Sequence, residues 1–105
     1  MAQIKTDLFS EEEIKLAQTA KALAHPARIK ILQILIDTNV CMCGQIVELM
    51  PLAQATVSQH LKELKKVGLI QGEIEGPKTC YCLDHQKLKE AKEKFNQLFS
   101  NICNC

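Results

Sequence analysis

The chain has 105 residues, which is enough for one domain with its own core but small enough that dimerisation would add stability. Hydrophobic residues make up 47% of it, which excludes a chain that is disordered by composition. The net charge of +1 gives no general attraction to nucleic acid, so a DNA-binding surface would need its basic residues on one face. No apolar run approaches the roughly 20 residues that span a bilayer, and the N-terminus has no signal-peptide core. We therefore expect a cytoplasmic protein that does not contact membranes.

The first two thirds of the chain carry helical patterns. Ser10 followed by Glu13 is a capping box, His25 can cap the next segment, and Pro26 suits a first helical turn. Gly68 is expected to end the fourth helix in a left-handed conformation. Apolar positions at three- and four-residue spacing predict helices over four stretches: 11–23, 26–37, 43–50 and 54–67.

The last third predicts a hairpin and a final helix. The two arms of the hairpin are predicted at 70–75 and 79–83, with the tip at 75–78. The final helix is predicted at 85–100. The order α-α-α-α-β-β-α predicts a mainly helical winged helix-turn-helix with a small β-hairpin. We expect a single domain over residues 1–105, with an N-terminal arm at 1–10 and a flexible, cysteine-containing tail at 101–105.

The polar side of the fourth helix is suited to reading DNA. Gln can bond adenine bidentately, Ser and Thr can bond bases or phosphates, and Lys can contact phosphates. The candidate DNA-binding residues are Gln54, Thr56, Ser58, Gln59, His60, Lys62, Lys65 and, at the hairpin tip, Lys78. A solvated amphipathic helix would have the same composition, but the surrounding order of elements favours DNA binding. His60 lies beside Leu61 and has a second interpretation as a hydrogen-bonded packing residue.

Two long stretches resemble the ArsR/SmtB family of bacterial metal-responsive repressors: ALAHPARIKILQIL at 22–35 and LAQATVSQHLKELKKVGLI at 52–70. The resemblance covers nearly the whole chain. It implies a homodimer, with the first and last helices at the interface, that binds a two-fold operator and is released by an inducer. Cys41-Met42-Cys43 falls where arsenic-sensing members carry C-x-C at the start of the third helix.

This chain departs from the metal-sensing members of that family at several positions. Ile46 stands where the arsenic-sensing pattern has a third cysteine, and the arm at 1–10 has no cysteine. The last helix lacks the histidine and carboxylate spacing of zinc-sensing members. The hairpin lacks the arginine common in the family.

All six cysteines belong to C-x-C pairs. Soft ions such as As(III), Cd(II) and Zn(II) prefer thiolates, so Cys41 and Cys43 are candidate ligands of a metal or metalloid inducer. The tail pair, Cys103 and Cys105, is predicted to complete that site. The third pair, at residues 80 and 82, is the weaker candidate, since Cys80 and Cys82 are expected to pack against the core as small apolar side chains.

Two other functions remain open on the sequence. A redox- or persulfide-sensing repressor would pair Cys43 with Cys103 or Cys105. A zinc-thiolate structural or protein-interaction module would hold metal without reading an operator. An enzyme is not expected, and no catalytic cofactor is implied, because no nucleophile, base and orienting group share a recognisable motif.

Overall fold

The computed structural model describes residues 8–73 and 80–102, without the side chains of Cys43 and Glu73. Lys78 at the hairpin tip and the tail residues Cys103 and Cys105 lie outside the described residues. The elements follow one another as α1 Glu11–Leu23, α2 Pro26–Thr38, β1 Met42–Cys43, α3 Gln45–Leu49, α4 Gln54–Lys66, β2 Ile70–Glu73, β3 Cys80–Leu83 and α5 His85–Phe99. This order is that of a winged helix-turn-helix, as the sequence predicts.

Local hydrogen bonds fix where the first two helices begin. The Ser10 amide donates to Glu13 Oε1 at 2.8 Å, and the Glu13 amide donates to Ser10 Oγ at 3.1 Å, which completes the capping box. The Ala27 amide donates to His25 Nδ1 at 3.0 Å, with Pro26 in the first turn of α2. These side chains satisfy backbone N–H groups that a helix start would otherwise leave unbonded.

The end of α4 is a two-bond turn that aims the chain into the sheet. The Gly68 amide donates to the Lys65 carbonyl at 2.9 Å and the Leu69 amide to the Leu64 carbonyl at 3.1 Å. Gly68 has φ +84, the left-handed conformation that this Schellman turn requires. Leu69 and Ile70 then enter the core, each 2% exposed.

The sheet has three strands in the order β1-β3-β2, and both neighbouring pairs are antiparallel. The strand β1 differs from the sequence prediction, which began a helix at residue 43. Met42 is buried opposite Tyr81, and Gly44 at φ +85 turns the chain from β1 into α3. Residues 42 and 43 are therefore extended, and α3 begins only at Gln45.

The core lies between α2, α4 and the inner face of the sheet. Its fully buried side chains are Ile31, Leu35, Ile46, Val57, Leu61, Leu64, Ile70 and Tyr81. Within the described residues, α5 contributes no buried side chain to it. In the part of the chain that the structure describes, no helix is long and apolar enough to span a membrane.

Candidate nucleic-acid interface and cysteine cluster

The helix α4 is held by its inner side and presents its outer side to solvent. Val57, Leu61 and Leu64 are 0%, 2% and 0% exposed. The predicted DNA-binding residues on the other side are Gln54, Thr56 and Gln59, which are exposed, and Ser58 and Lys62, which are half-buried. Ala55 is also exposed between them, a position that sequence reasoning omitted because alanine carries no hydrogen-bonding group. The first turn of α4 has no side-chain cap among the described residues, so its backbone amides can donate hydrogen bonds to an external acceptor.

Two lysines of α4 differ in what they contact. Lys65 Nζ donates to the Gly72 carbonyl and so connects the end of α4 to β2. Lys66 Nζ lies 3.4 Å from Glu63 Oε1, and Gln59 Nε2 donates to the same oxygen at 3.3 Å. Lys65 therefore supports the hairpin in this conformation, whereas Lys66 remains on the outer side of the helix.

His60, a candidate DNA-binding residue on the sequence, is buried in the structure, which favours its second interpretation as a hydrogen-bonded packing residue. It is 8% exposed, and its Nδ1 accepts a hydrogen bond from Arg28 Nε at 3.1 Å. Arg28 Nη1 also donates to the Ala22 carbonyl at 3.2 Å, so this arginine joins α4 to the end of α1. Burial lowers the pKa of His60, and the charges of His25 and Arg28 lower it further. The unprotonated Nδ1 is what Arg28 requires as an acceptor.

The cysteines meet on the sheet. Cys41 and Cys82 form a disulfide across a sequence separation of 41 residues, with their Cα atoms 4.4 Å apart. Cys80 is disulfide-bonded as well, and the register pairs position 80 with position 43. The structure thus joins Cys41 to the hairpin pair that the sequence ranked lower. The predicted partners in the tail lie outside the described residues.

The expected inward packing of Cys80 and Cys82 is wrong. Along β3, Tyr81 and Leu83 take the buried positions, and the two cysteines are half-buried on the other face. Tyr81 fills more of the core than a cysteine could, which decides the orientation of the strand. In this disulfide-bonded state, the described residues include no group of three or more His, Cys, Asp or Glu side chains that could hold a metal ion. A sulfur in a disulfide is not a thiolate ligand.

A small cavity lies beside the disulfide. It has a volume of about 270 Å³, and Asn39, Cys41, Cys82 and His85 are among its lining residues. Cys41 is itself exposed. The disulfide therefore borders a cavity, with one of its two residues exposed to solvent.

Large apolar side chains are exposed at the end of α5 and just before α1. Leu98 and Phe99 at the end of α5 are 60% and 58% exposed, and Phe9 before α1 is 51% exposed. The two helices are joined by an ion pair in which Lys94 Nζ lies 3.2 Å from Glu12 Oε1. Apolar surface therefore remains uncovered on the side of the molecule where α1 and α5 meet.

A three-helix unit with a polar outer helix, followed by a β-hairpin, defines a winged helix-turn-helix DNA-binding regulator. Residues 25–71 match the family model described as bacterial regulatory protein, arsR family. The chain is 32% identical over 91 residues to a cadmium resistance transcriptional regulatory protein CadC homolog of Staphylococcus aureus, a match that covers 86% of this chain and 74% of that protein. The protein therefore belongs to the arsR family of bacterial transcriptional regulators, which are not enzymes.

Other relatives agree with this family. The chain is 38% identical over 79 residues to the HTH-type transcriptional regulator CmtR of Mycobacterium bovis, covering 75% of this chain and 66% of CmtR. Among solved structures, HlyU from Vibrio cholerae superposes with a TM-score of 0.66 at 26% identity, covering 89% of this chain and 100% of that chain.

Proposed function

We propose that this protein is a cytoplasmic transcriptional repressor that binds operator DNA as a homodimer and is released when an inducer binds its cysteine thiolates. The observation that carries the proposal is the outer side of α4, whose exposed polar residues are fixed in place by a fully buried inner side. A recognition helix needs both properties, because base contacts require a fixed orientation.

In this proposal the N-terminal half of α4 enters the major groove. Gln54, Thr56, Ser58 and Gln59 contact base edges, and Lys62 contacts phosphates, as does Lys78 from the hairpin tip. The uncapped amides of the first turn suit a phosphate oxygen, since a helix N-terminus carries partial positive charge. Lys65 supports the hairpin and can turn to a phosphate only by leaving Gly72.

The homodimer is proposed from α1 and α5. The exposed Leu98 and Phe99 extend an apolar stripe that begins with the half-buried Leu88 and Ala91. A second copy of the same helices would cover this stripe, and a two-fold dimer matches a two-fold operator.

The inducer is proposed to be a soft metal or metalloid ion, Cd(II), As(III) or Zn(II), bound by thiolates. The name of the Staphylococcus aureus relative refers to cadmium resistance, which makes Cd(II) the first ion to test. Cys41 and Cys43 stand directly before α3, from which a bound ion can act on the DNA-reading helices.

Operator binding is tested by fluorescence anisotropy with DNA from upstream of the gene. Replacing Gln59 by Ala should weaken specific binding by about 1–3 kcal/mol, or roughly 5- to 150-fold, and leave non-specific binding unchanged. Gln33→Ala, at an exposed position on α2, is the matched control and should bind normally. Equal losses for specific and non-specific DNA would contradict base reading by Gln59.

The disulfide between Cys41 and Cys82 favours a second candidate, a repressor that is released by cysteine oxidation. Reduced protein on operator DNA should be titrated in parallel with Cd(II), As(III), Zn(II) and a polysulfide. Release by an ion alone supports a metal inducer. Release by polysulfide alone, reversed by a dithiol reductant, supports the redox candidate.

A further inference from the structure

We propose that the inducer site is a four-thiolate site on the β1–β3 ladder, formed by Cys41, Cys43, Cys80 and Cys82, which binds one soft divalent cation such as Cd(II). We call these four positions the cysteine ladder. The assignment rests on the proposed function, because it names the site of the thiol-binding inducer. In this assignment Cys80 and Cys82 on β3 complete the site, and the tail cysteines do not.

The strand register brings the four positions together. Residues 43 and 80 are directly opposite, as are 42 and 81, and the Cα atoms of Cys41 and Cys82 are 4.4 Å apart. Alternate residues of a strand belong to the same face, so positions 41 and 43 share a face with positions 80 and 82. The intervening residues, Met42 and Tyr81, are buried on the opposite face. The ladder therefore places four cysteines at the corners of one small rectangle.

The rectangle has suitable dimensions for a tetrahedral ion. Thiolates bound to Zn(II) at about 2.3 Å lie about 3.8 Å from one another. The short side of the rectangle is 4.4 Å between Cα atoms, and its long side is about 7 Å, two residues of extended chain. The disulfide between Cys41 and Cys82 requires their sulfurs to come closer than an ion would, so the short side can close easily. The long side closes by rotation of the side chains toward the centre.

Solvent access suits an exchangeable ion more than a structural one. Cys41 is exposed, and Cys80 and Cys82 are half-buried. The cavity of about 270 Å³ lies beside Cys41 and Cys82. An ion can enter without unfolding the sheet. Soft thiolates select Cd(II) or Zn(II) over hard cations such as Mg²⁺.

The chemistry balances in two steps. An external dithiol reductant breaks the Cys41–Cys82 bond and becomes a disulfide itself, while the two cysteines gain two electrons and two protons; the disulfide of Cys80 is reduced in the same way. One divalent ion then replaces four thiol protons, which are released to solvent, and the complex carries a charge of −2. The disulfide form is thus the oxidised, metal-free state of the same site.

The position of the cysteine ladder explains how a bound ion would change the affinity for DNA. β1 leads through Gly44 into α3, the first helix of the DNA-reading pair. β3 pairs with β2, and the Gly72 carbonyl of β2 accepts a hydrogen bond from Lys65 Nζ at the end of α4. An ion that joins β1 to β3 therefore connects both sides of the reading helix and adds negative charge beside the hairpin. Coupling of about 1–3 kcal/mol, or 5- to 150-fold in operator affinity, is the usual size of such an effect.

The test compares two double variants of the full-length protein, reduced under anaerobic conditions. In C80S/C82S, we expect Cd(II) to lose two sulfur ligands, seen as a change in the cadmium NMR shift, and to bind at least about tenfold more weakly. In C103S/C105S, the cadmium shift and the affinity should equal those of the wild type. Circular dichroism of both variants checks that the fold is retained, which the half-buried positions of Cys80 and Cys82 favour.

Protection of thiols from alkylation gives a second measurement that needs no variant. With Cd(II) bound to the wild type, peptide mass mapping should find the cysteine ladder protected, and Cys103 and Cys105 modified. Protection of Cys41, Cys43 and the tail pair, with Cys80 and Cys82 modified, would overturn the proposal. So would unchanged cadmium binding in C80S/C82S.

Failure of this inference can be separated from failure of the proposed function. Cadmium binding is measured without DNA, and metal-free operator binding is measured for the same variants by anisotropy. If C80S/C82S binds operator normally but is no longer released by Cd(II), the ladder is the inducer site. If the tail variant is the one that resists release, the ladder proposal fails while the repressor proposal stands.

Discussion

The helices α4 and α5 are alike in amphipathic pattern and different in their surroundings. Both are amphipathic, with 13 and 15 residues, and both present an apolar stripe to the rest of the chain. α4 has four buried residues, whereas α5 has none among the described residues. The stripe of α4 is covered by α2 and the sheet, but that of α5 ends in solvent at Leu98 and Phe99.

This difference separates stability that one chain provides from stability that needs a second one. The position of α4 depends on contacts within one chain, so α3 and α4, the helices proposed to read DNA, should be intact in the monomer. In the proposed homodimer, α5 also packs against a partner, so its contribution should change with protein concentration. The same substitution in the two helices should then have different consequences.

Leu64→Ala should have the largest effect on folding. Leu64 is 0% exposed at the centre of the core, and truncation should cost about 2–5 kcal/mol from the lost burial and the cavity left behind. Urea unfolding should show the same loss at every protein concentration. If the loss disappears at high concentration, α4 also owes its stability to the dimer, and the comparison fails.

The double variant Leu98→Ala/Phe99→Ala should act on assembly. Burying these side chains in a dimer would contribute about 2–4 kcal/mol, so their truncation should raise the dimer dissociation constant by roughly 30- to 1,000-fold. Sedimentation equilibrium measures the change. Far-ultraviolet circular dichroism of the variant monomer should still show a folded domain. Unchanged dimerisation would mean that another surface holds the two copies together.

The parts that sequence reasoning predicted correctly are governed by near neighbours. The capping box needs only Ser10 and Glu13, three residues apart, and the turn after α4 needs only Gly68. The apolar stripe of α4 repeats within one helix and predicts its buried side. Such patterns carry their own structural information, because the contacts that they describe are local.

What the sequence could not predict depends on contacts between distant residues. β1 has two residues and no periodicity, and it exists only because β3 pairs with it about forty positions later. The hydrogen bond from Arg28 to His60 spans 32 residues, so the sequence alone could not distinguish a buried histidine from a DNA-facing one. The orientation of Cys80 and Cys82 follows from Tyr81, whose buried side chain places both cysteines on the opposite face of β3.

Gly72→Ala should destabilise the hairpin where it contacts α4. A Cβ at this position would lie 2.1 Å from the Cys80 carbonyl oxygen, and φ is +126. We expect a loss of about 1–3 kcal/mol and weaker operator binding, because the carbonyl that holds Lys65 would move. Gly44→Ala is the control, since φ is +85 but no atom lies within 4 Å, and it should cost less. Equal costs would show that backbone strain, and not the clash, decides the outcome.

The smallest expected effect concerns His60 and the pH dependence of stability. Burial, His25 and Arg28 lower its pKa in the folded state, so the unfolded chain binds a proton more readily below about pH 6.5. The contribution of His60 to the free energy of unfolding is therefore complete above that pH. It is lost as the pH falls, by at most about 1.4 kcal/mol per pH unit. His60→Gln keeps an acceptor for Arg28 but cannot titrate, so its slope between about pH 5 and 7 should be flatter than that of the wild type. His25→Asn, which keeps a capping side chain and removes one neighbouring charge, should give an intermediate slope. If His60→Gln has the wild-type slope, the acid sensitivity comes from a group outside this contact between α4 and α2, and the inner side of α4 is insensitive to pH.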